Sequence, residues 1–378
     1  MDFSLGQLRQ DLQGLTPEEH GFTYLDLDRT PTASGRLDDW VLSAKDLADV
    51  KGMRTTLGNI DRAYIATATD PTIEQLESEG AVIIGKSAAP ELGLMVDTEP
   101  IGLPHPDNPL WPGHTPGGSS GGAAVQVARG LLRAAHASDG GGSIRVPAAA
   151  CGVVGFKPGG HSLTVDGFIT RTVADAAFLH DIHPLVPRAR IGVLTEPLFI
   201  DTRVDPVMLE AVREAEKRLH ARGFDVVHIG KYPQATTTFE SFRHIFTSNL
   251  ANLDEAEGYV DWVRALGRRV SPKQLALAKK HGTALQEILT LQWRVDAILS
   301  PMLAFDPPRH GTFRALPHEK NFEEQTRWSP WGSLFNVAHL PALSVPWTLD
   351  NHQPVGLQLG AITLSEPELL GLATVLHP

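Results

Sequence analysis

The chain has 378 residues, with 33 Lys and Arg against 44 Asp and Glu, a net charge of −11. That acidic balance argues against nucleic acid as a partner, because binding phosphates needs a basic face. A hydrophobic content of 42% supplies a large core and excludes wholesale disorder. No apolar run reaches the roughly 18 residues of a membrane span. The one cysteine, Cys151, excludes a disulfide framework, fits a reducing compartment and reads as a buried packing residue. The opening MDFSLGQLRQDL has neither a basic n-region nor an apolar h-region, so no export signal is expected and a cytoplasmic location is.

Taken in order, apolar runs with β-branched residues alternate with periodic, charge-studded segments, the α/β pattern. Strands are predicted at Trp40–Leu42 and Ala63–Ala66, a helix at Thr72–Glu79, a strand at Ala81–Ile84 and a helix at Ser120–Leu132. A strand at Arg190–Leu194, a helix at Pro206–Arg222 and a strand at Asp225–Ile229 come next. Helices at Phe239–Leu253 and Pro272–Gln292 lead to strands at Ala297–Ser300, Ala342–Val345 and Val355–Leu359 and a helix at Glu366–Leu376. The last helix opens on Ser365-x-x-Glu368, a capping box with Pro367 in its first turn. Met208, Val212, Ala215 and Leu219 form one apolar stripe, read as a core face.

The most unusual stretch is Pro116–Gly160, PGGSSGGAAVQVARGLLRAAHASDGGGSIRVPAAACGVVGFKPGG. Two glycine-serine clusters flank a helix whose small residues Ala123, Ala124, Val127 and Ala128 permit close packing. Successive N–H groups at Gly140, Gly141, Gly142 and Ser143 can form a concave nest for an anionic oxygen. Two familiar patterns fail on context. Gly80–Ser87 matches the P-loop letter for letter, yet Ala81–Ile84 reads as the strand itself and Pro90 stands where the helix should run. Gly117-x-Ser119-x-Gly121 matches a nucleophile elbow but follows Trp111–Pro116 rather than a buried strand. No metal site is read: His180 and His183 have no zincin glutamate between them.

The run GGSSGG, SDGGGSIRVPA, CGVVGFKP resembles the signature of the amidase signature family of serine hydrolases. Leu42–Leu47 with Gly52–Gly58, Arg171–Ala177, Asp296–Pro301, Asn336–Pro346 and Pro354–Leu359 resemble further family segments, in collinear order. The resemblance implies an α/β fold, a single large domain over 1–378 with a central mixed β-sheet covered by helices on both faces. The signature core would lie at about 40–180, and the substrate pocket with the rest of the sheet at about 190–378.

It also implies a Ser–cis-Ser–Lys triad, with Ser143 as nucleophile, Ser119 as proton relay and Lys45 as base. The Gly118–Ser119 bond would be cis. The Gly140, Gly141 and Gly142 amides would form the oxyanion hole, with Ser120, Asp139 and Arg145 in support. Lysine serves as a base only when neutral, and its ordinary pKa of about 10.4 falls several units on burial. Lys86 is set aside as base, with a surface or supporting role expected for it.

The implied activity is hydrolysis of a carboxylic amide to acid and amine or ammonia, with no cofactor. The expected partner is a small-molecule amide, linear, oligomeric or cyclic, rather than nucleic acid or membrane; a homodimer is compatible with the reading. The wording at Gly113–Gly118 and Asp139-Gly140 resembles the branch of 6-aminohexanoate-cyclic-dimer hydrolases. Two alternatives stand beside this reading: the glutaminase-type subunit of a tRNA-dependent amidotransferase, and a non-catalytic binding protein on the same scaffold. The chain departs from the family in its short segment before Lys45, in the twelve residues between Pro158 and Arg171, and in Gly at position 140. A more open cleft is expected from the trimmed loops.

Overall fold

A computed structural model describes residues 3–377. Eight strands form the main sheet, in the spatial order Asp225–His228, Arg190–Val193, Ala297–Pro301, Val355–Ala361, Ala342–Trp347, Val154–Lys157, Val165–Thr170 and Ala134–Asp139. Arg190–Val193 pairs parallel with both of its neighbours, and the remaining pairs are antiparallel, so the sheet is mixed. A smaller sheet places Val82–Ser87 between Phe22–Leu25 and Val41–Lys45. Val41–Lys45 lies alongside the edge strand Ala134–Asp139, which joins the two sheets into one scaffold.

Both faces of the main sheet are covered, as the alternation of its side chains requires. In Ala297–Pro301, Ala297 and Leu299 enter one core cluster while Ile298 enters the other. The first cluster gathers the stripe Met208, Val212, Ala215 and Leu219 of helix Pro206–Ala221 with helices Val173–Leu179 and Glu366–Leu376. The second gathers Trp331, Leu334 and Phe335 with Leu285 and Leu289 of helix Pro272–Trp293. The fold is therefore the α/β single domain expected, with helices on both faces.

All eight predicted strands are present. Five more strands among the described residues, Phe22–Leu25, Arg54–Thr55, Ala134–Asp139, Val154–Lys157 and Val165–Thr170, were not predicted, and Ala134–Asp139 leads directly into the Ser143 loop. The predicted helix Ser120–Leu132 runs only over Gly121–Ala128, because Gly130 takes a left-handed φ of 77° that ends the turn. The predicted Phe239–Leu253 runs over Ala235–Ser248, taking in the run Thr236–Thr238, β-branched residues whose preference is for extended backbone. The capping box at Ser365 and Glu368 forms, with the Ser365 amide donating to Glu368 Oε2 at 2.9 Å.

Helix Gly121–Ala128 is buried along its first seven residues, among them Ala123, Ala124 and Val127 of the small-residue stretch. A Cβ on Gly122 would sit 2.2 Å from the Ala88 nitrogen, so only glycine lets this helix approach the strand end. That contact brings Ser119, just before the helix, close to Lys45 at the end of its strand.

Candidate active site

Lys45 is the last residue of a strand buried along its whole length. Its Nζ lies 2.7 Å from Ser119 Oγ, 3.1 Å from Ser138 Oγ and 3.3 Å from the Ser138 carbonyl. Burial pushes the Lys45 ammonium down to about 7, while the carboxylates of Asp139 and then Asp166 pull it back up. The Gly118–Ser119 peptide bond is cis. Ser143 follows strand Ala134–Asp139 and precedes helix Arg145–Cys151. Its hydroxyl makes no side-chain hydrogen bond among the described residues, and it lines a cavity of about 570 Å³ together with Ser119, Gly140 and Gly141. The Ser120 amide donates to the Ser143 carbonyl at 3.2 Å, which ties the two serine loops together.

Asp139 shapes the loop that carries Ser143. Its carboxylate accepts from the amides of Gly142 at 2.7 Å and Ile144 at 3.2 Å. Arg145 grips the same carboxylate in fork fashion, Nε to Oδ2 and Nη2 to Oδ1, both at 2.9 Å. Burial pushes the Asp139 carboxyl up, but Arg145, then Lys157 and Asn336, outweigh it and hold the group below the ordinary carboxylate range. The remaining Arg145 donors go to Gln358 Oε1 and Asn336 Oδ1, each at 2.7 Å. This accounts for a fully buried guanidinium: each side of the fork has an acceptor.

Of the sequence-derived site residues, Lys45, Ser119, Ser143, Gly140 and Gly141 converge on one place, and Asp139 and Arg145 stand directly behind it. Gly142 departs from expectation. At φ 123° its amide turns to Asp139, so it is a loop anchor here rather than a free donor toward the cavity. Ser120 directs its hydroxyl to the Ser138 carbonyl at 3.3 Å. Lys86 is not at the surface: it is fully buried, 3.4 Å from Asp46 Oδ1 and 2.8 Å from Thr55 Oγ1. Its strand, Val82–Ser87, is buried along its whole length, so both faces are covered and a side chain on either one is enclosed. Cys151 is buried, as read.

Sequence reasoning missed several participants. Ser138 supplies two contacts to Lys45, and its place directly before Asp139 was the available signal. His136 accepts the Lys45 backbone amide on Nδ1 at 3.3 Å, and its Nε2 lies 3.5 Å from Asp166 Oδ1. Asn336 and Gln358 come from segments more than 190 residues beyond Arg145, and no local pattern marks their roles. Among the described residues no cluster of His, Cys, Asp and Glu suited to a metal occurs, and no helix is long and apolar enough to cross a membrane.

A buried, near-neutral lysine against a serine, with a second serine and free amides on the same cavity wall, defines a serine hydrolase-type site. The family model described as Amidase matches residues 23–183 and 258–370, and the chain belongs to the amidase family. It is thus an amidohydrolase, acting on the C–N bond of a carboxylic amide. The chain is similar to the amidase-family protein AmiB2 of Mycobacterium tuberculosis, 32% identical over 370 residues that cover 88% of this chain and 80% of the relative. In structure it resembles 6-aminohexanoate cyclic dimer hydrolase, with a TM-score of 0.87 at 24% identity over 98% of this chain and 92% of that one. A glutamyl-tRNA(Gln) amidotransferase chain of Thermotoga maritima superposes with a TM-score of 0.84 at 23% identity, covering 99% of this chain and 90% of that one.

Proposed function

We propose that the chain hydrolyses its amide through an acyl-enzyme on Ser143, with Ser119 as relay and Lys45 as base. The observation that carries this is the Lys45–Ser119 contact of 2.7 Å, made by a lysine that burial holds to about 7. A lysine of ordinary pKa would be protonated at neutral pH and could accept nothing. A lysine near 7 is neutral in a large fraction of molecules, which is where a general base works best.

With substrate in place, the Ser143 hydroxyl passes its proton to Ser119 Oγ as Ser119 gives its own to Lys45 Nζ. Ser143 Oγ attacks the carbonyl carbon. The negative charge moves to the carbonyl oxygen, which faces the free amides of Gly140 and Gly141; each such donor is worth about 2.7–4 kcal/mol in comparable sites. The relay returns a proton to the amide nitrogen, the C–N bond breaks and the amine or ammonia leaves. Water then attacks the ester and gives its proton to the same relay; the C–O bond to Ser143 breaks, the relay returns that proton to Ser143 Oγ, and the acid leaves. Asp139 and Arg145 act by holding the loop in shape, and Ser138 by fixing the lysine amine.

The same reading gives the chain a small-molecule amide as partner, without nucleic acid or membrane, and assigns it to the cytoplasm as one catalytic domain over 1–378. Its test is the release of amine from an amide by the purified chain. Ser143→Ala should reduce the rate by about 10³-fold or more. Full activity in that variant would overthrow the assignment.

A further inference from the structure

The walls of the Ser143 cavity contain no Asp, Glu, Lys, Arg or His among the described residues. Charged side chains stand elsewhere: a neighbouring cavity of about 530 Å³ is lined by Asp61, Arg62, Glu91, Glu255, Glu257 and Arg314. Around Ser143 the wall is instead a run of phenyl rings. Phe199 stacks on Phe239 at 5.2 Å, Phe239 on Phe242 at 6.1 Å, and Phe242 on Phe246 at 5.3 Å, with Phe322 closing the group 6.1 Å from Phe239. The run reaches the chemistry itself, since Phe242 Cζ lies 3.0 Å from where a Cβ on Gly141 would be.

Polar groups on this wall are uncharged, and one is already committed. Gln325 accepts the Val96 amide at 2.8 Å and donates to Asn321. The position of the phenyl wall in the chain is equally informative. The family model leaves 184–257 unmatched, while Lys45, Ser119 and Ser143 fall inside its matched part. Phe199, Phe239, Phe242 and Phe246 all belong to the unmatched stretch.

We propose that the substrate is an amide whose body is uncharged and carries an arene or an alkyl chain seated on this phenyl wall. The proposal rests on the assignment of Ser143 as nucleophile. An ionised group on the substrate would lose its water here and find no counter-charge, a cost that is repaid only when a partner is present. An arene gains both apolar burial and offset or edge contacts with the rings. About 570 Å³ lies within the range of cavities that enclose molecules larger than acetamide. A free α-amino acid amide such as glutamine, with two charges, is the wrong class for this wall, which removes the support for a glutaminase reading.

The test is ammonia release from matched primary amides at pH 7.5: 4-methylbenzamide, its 4-carboxylate and 4-aminomethyl analogues, acetamide and glutamine. The expected result is kcat/KM for 4-methylbenzamide at least ~100-fold above both charged analogues, acetamide and glutamine. A charged analogue, glutamine or acetamide within a few-fold of 4-methylbenzamide overturns the proposal. Phe239→Lys, on a half-buried ring of the wall, should shift the ratio toward the carboxylate by ~10-fold or more, with Phe246→Lys as the second variant should the first not fold. An unchanged ratio in the folded variant counts against this wall as the seat of the substrate. Fluorophosphonate labelling of Ser143 separates the two levels: labelling with no turnover of any neutral aryl or alkyl amide overturns the substrate class alone. Absence of labelling removes the nucleophile assignment beneath it.

Discussion

Lys45 and Ser119 meet through a 2.7 Å contact between Nζ and Oγ, with the amine wholly enclosed by protein. Because enclosure disfavours the ammonium, the lysine loses its proton near 7 rather than above 10. The base form is populated above that value and lost below it. The account therefore predicts that kcat/KM rises with pH through an apparent pKa of about 7 and then levels. The carboxylates of Asp139 and Asp166 both oppose the shift. Asp166 is partly exposed, so Asp166→Asn removes one of them without emptying the core, and the acidic limb should move to lower pH. Added salt should shrink the difference between the two profiles.

Lys86 gives the contrasting case. It pairs with Asp46 at 3.4 Å, both side chains fully buried, with Asp46 also accepting from Thr23 Oγ1 at 2.9 Å. Removing one member leaves the other charge uncompensated, at a cost of about 3–5 kcal/mol. Lys86→Met should lower the urea midpoint accordingly, while folded molecules keep their reactivity toward a fluorophosphonate. Loss of labelling at full stability would place Lys86 in the chemistry instead.

Arg145 should be intolerant of even a conservative change. Its fork satisfies Asp139, Asn336 and Gln358 at once, and lysine has neither the reach nor the planar donors to do so. Arg145→Lys is expected to cost about 2–4 kcal/mol in thermal or urea unfolding. Because Asp139 anchors the Gly142 and Ile144 amides, the variant should also lose activity in its folded fraction. Unchanged kcat with lowered stability would confine Arg145 to packing.

Cys151 is predicted to be inert. The thiol is buried, and burial pushes its pKa up, so the thiolate is scarce. Ellman's reagent should find no fast-reacting thiol in the native chain and one equivalent after denaturation. Cys151→Ala should keep its amide turnover.

Much of the scaffold was legible in the sequence because Val- and Ile-rich runs such as Ala81–Ile84 and Arg190–Leu194 carry the β signal in their composition. The strand that holds the site did not. Ala134–Asp139 reads Ala-Ala-His-Ala-Ser-Asp, small residues whose extended form comes from pairing with Val165–Thr170 rather than from propensity. Lys45, Ser119 and Ser143 were legible through the resemblance of their segments to those of the amidase signature family, and the glycine-serine density by itself marked only the two serine loops. Without that resemblance their convergence would not have been legible, since Lys45 and Ser119 are brought together by packing of separate elements. The same limit hid Asn336, Gln358 and the phenyl wall: each is an ordinary residue until the fold turns it toward Arg145 or the cavity. The glycine loop was only half legible, because the direction of the Gly142 amide depends on the distant network that fixes Asp139.

The assignment of Ser143 is tested most directly by locating a fluorophosphonate adduct by peptide mass spectrometry. The account predicts one adduct, on Ser143, absent from Ser143→Ala. An adduct on Ser119 or Ser120, or one that persists in Ser143→Ala, would contradict it.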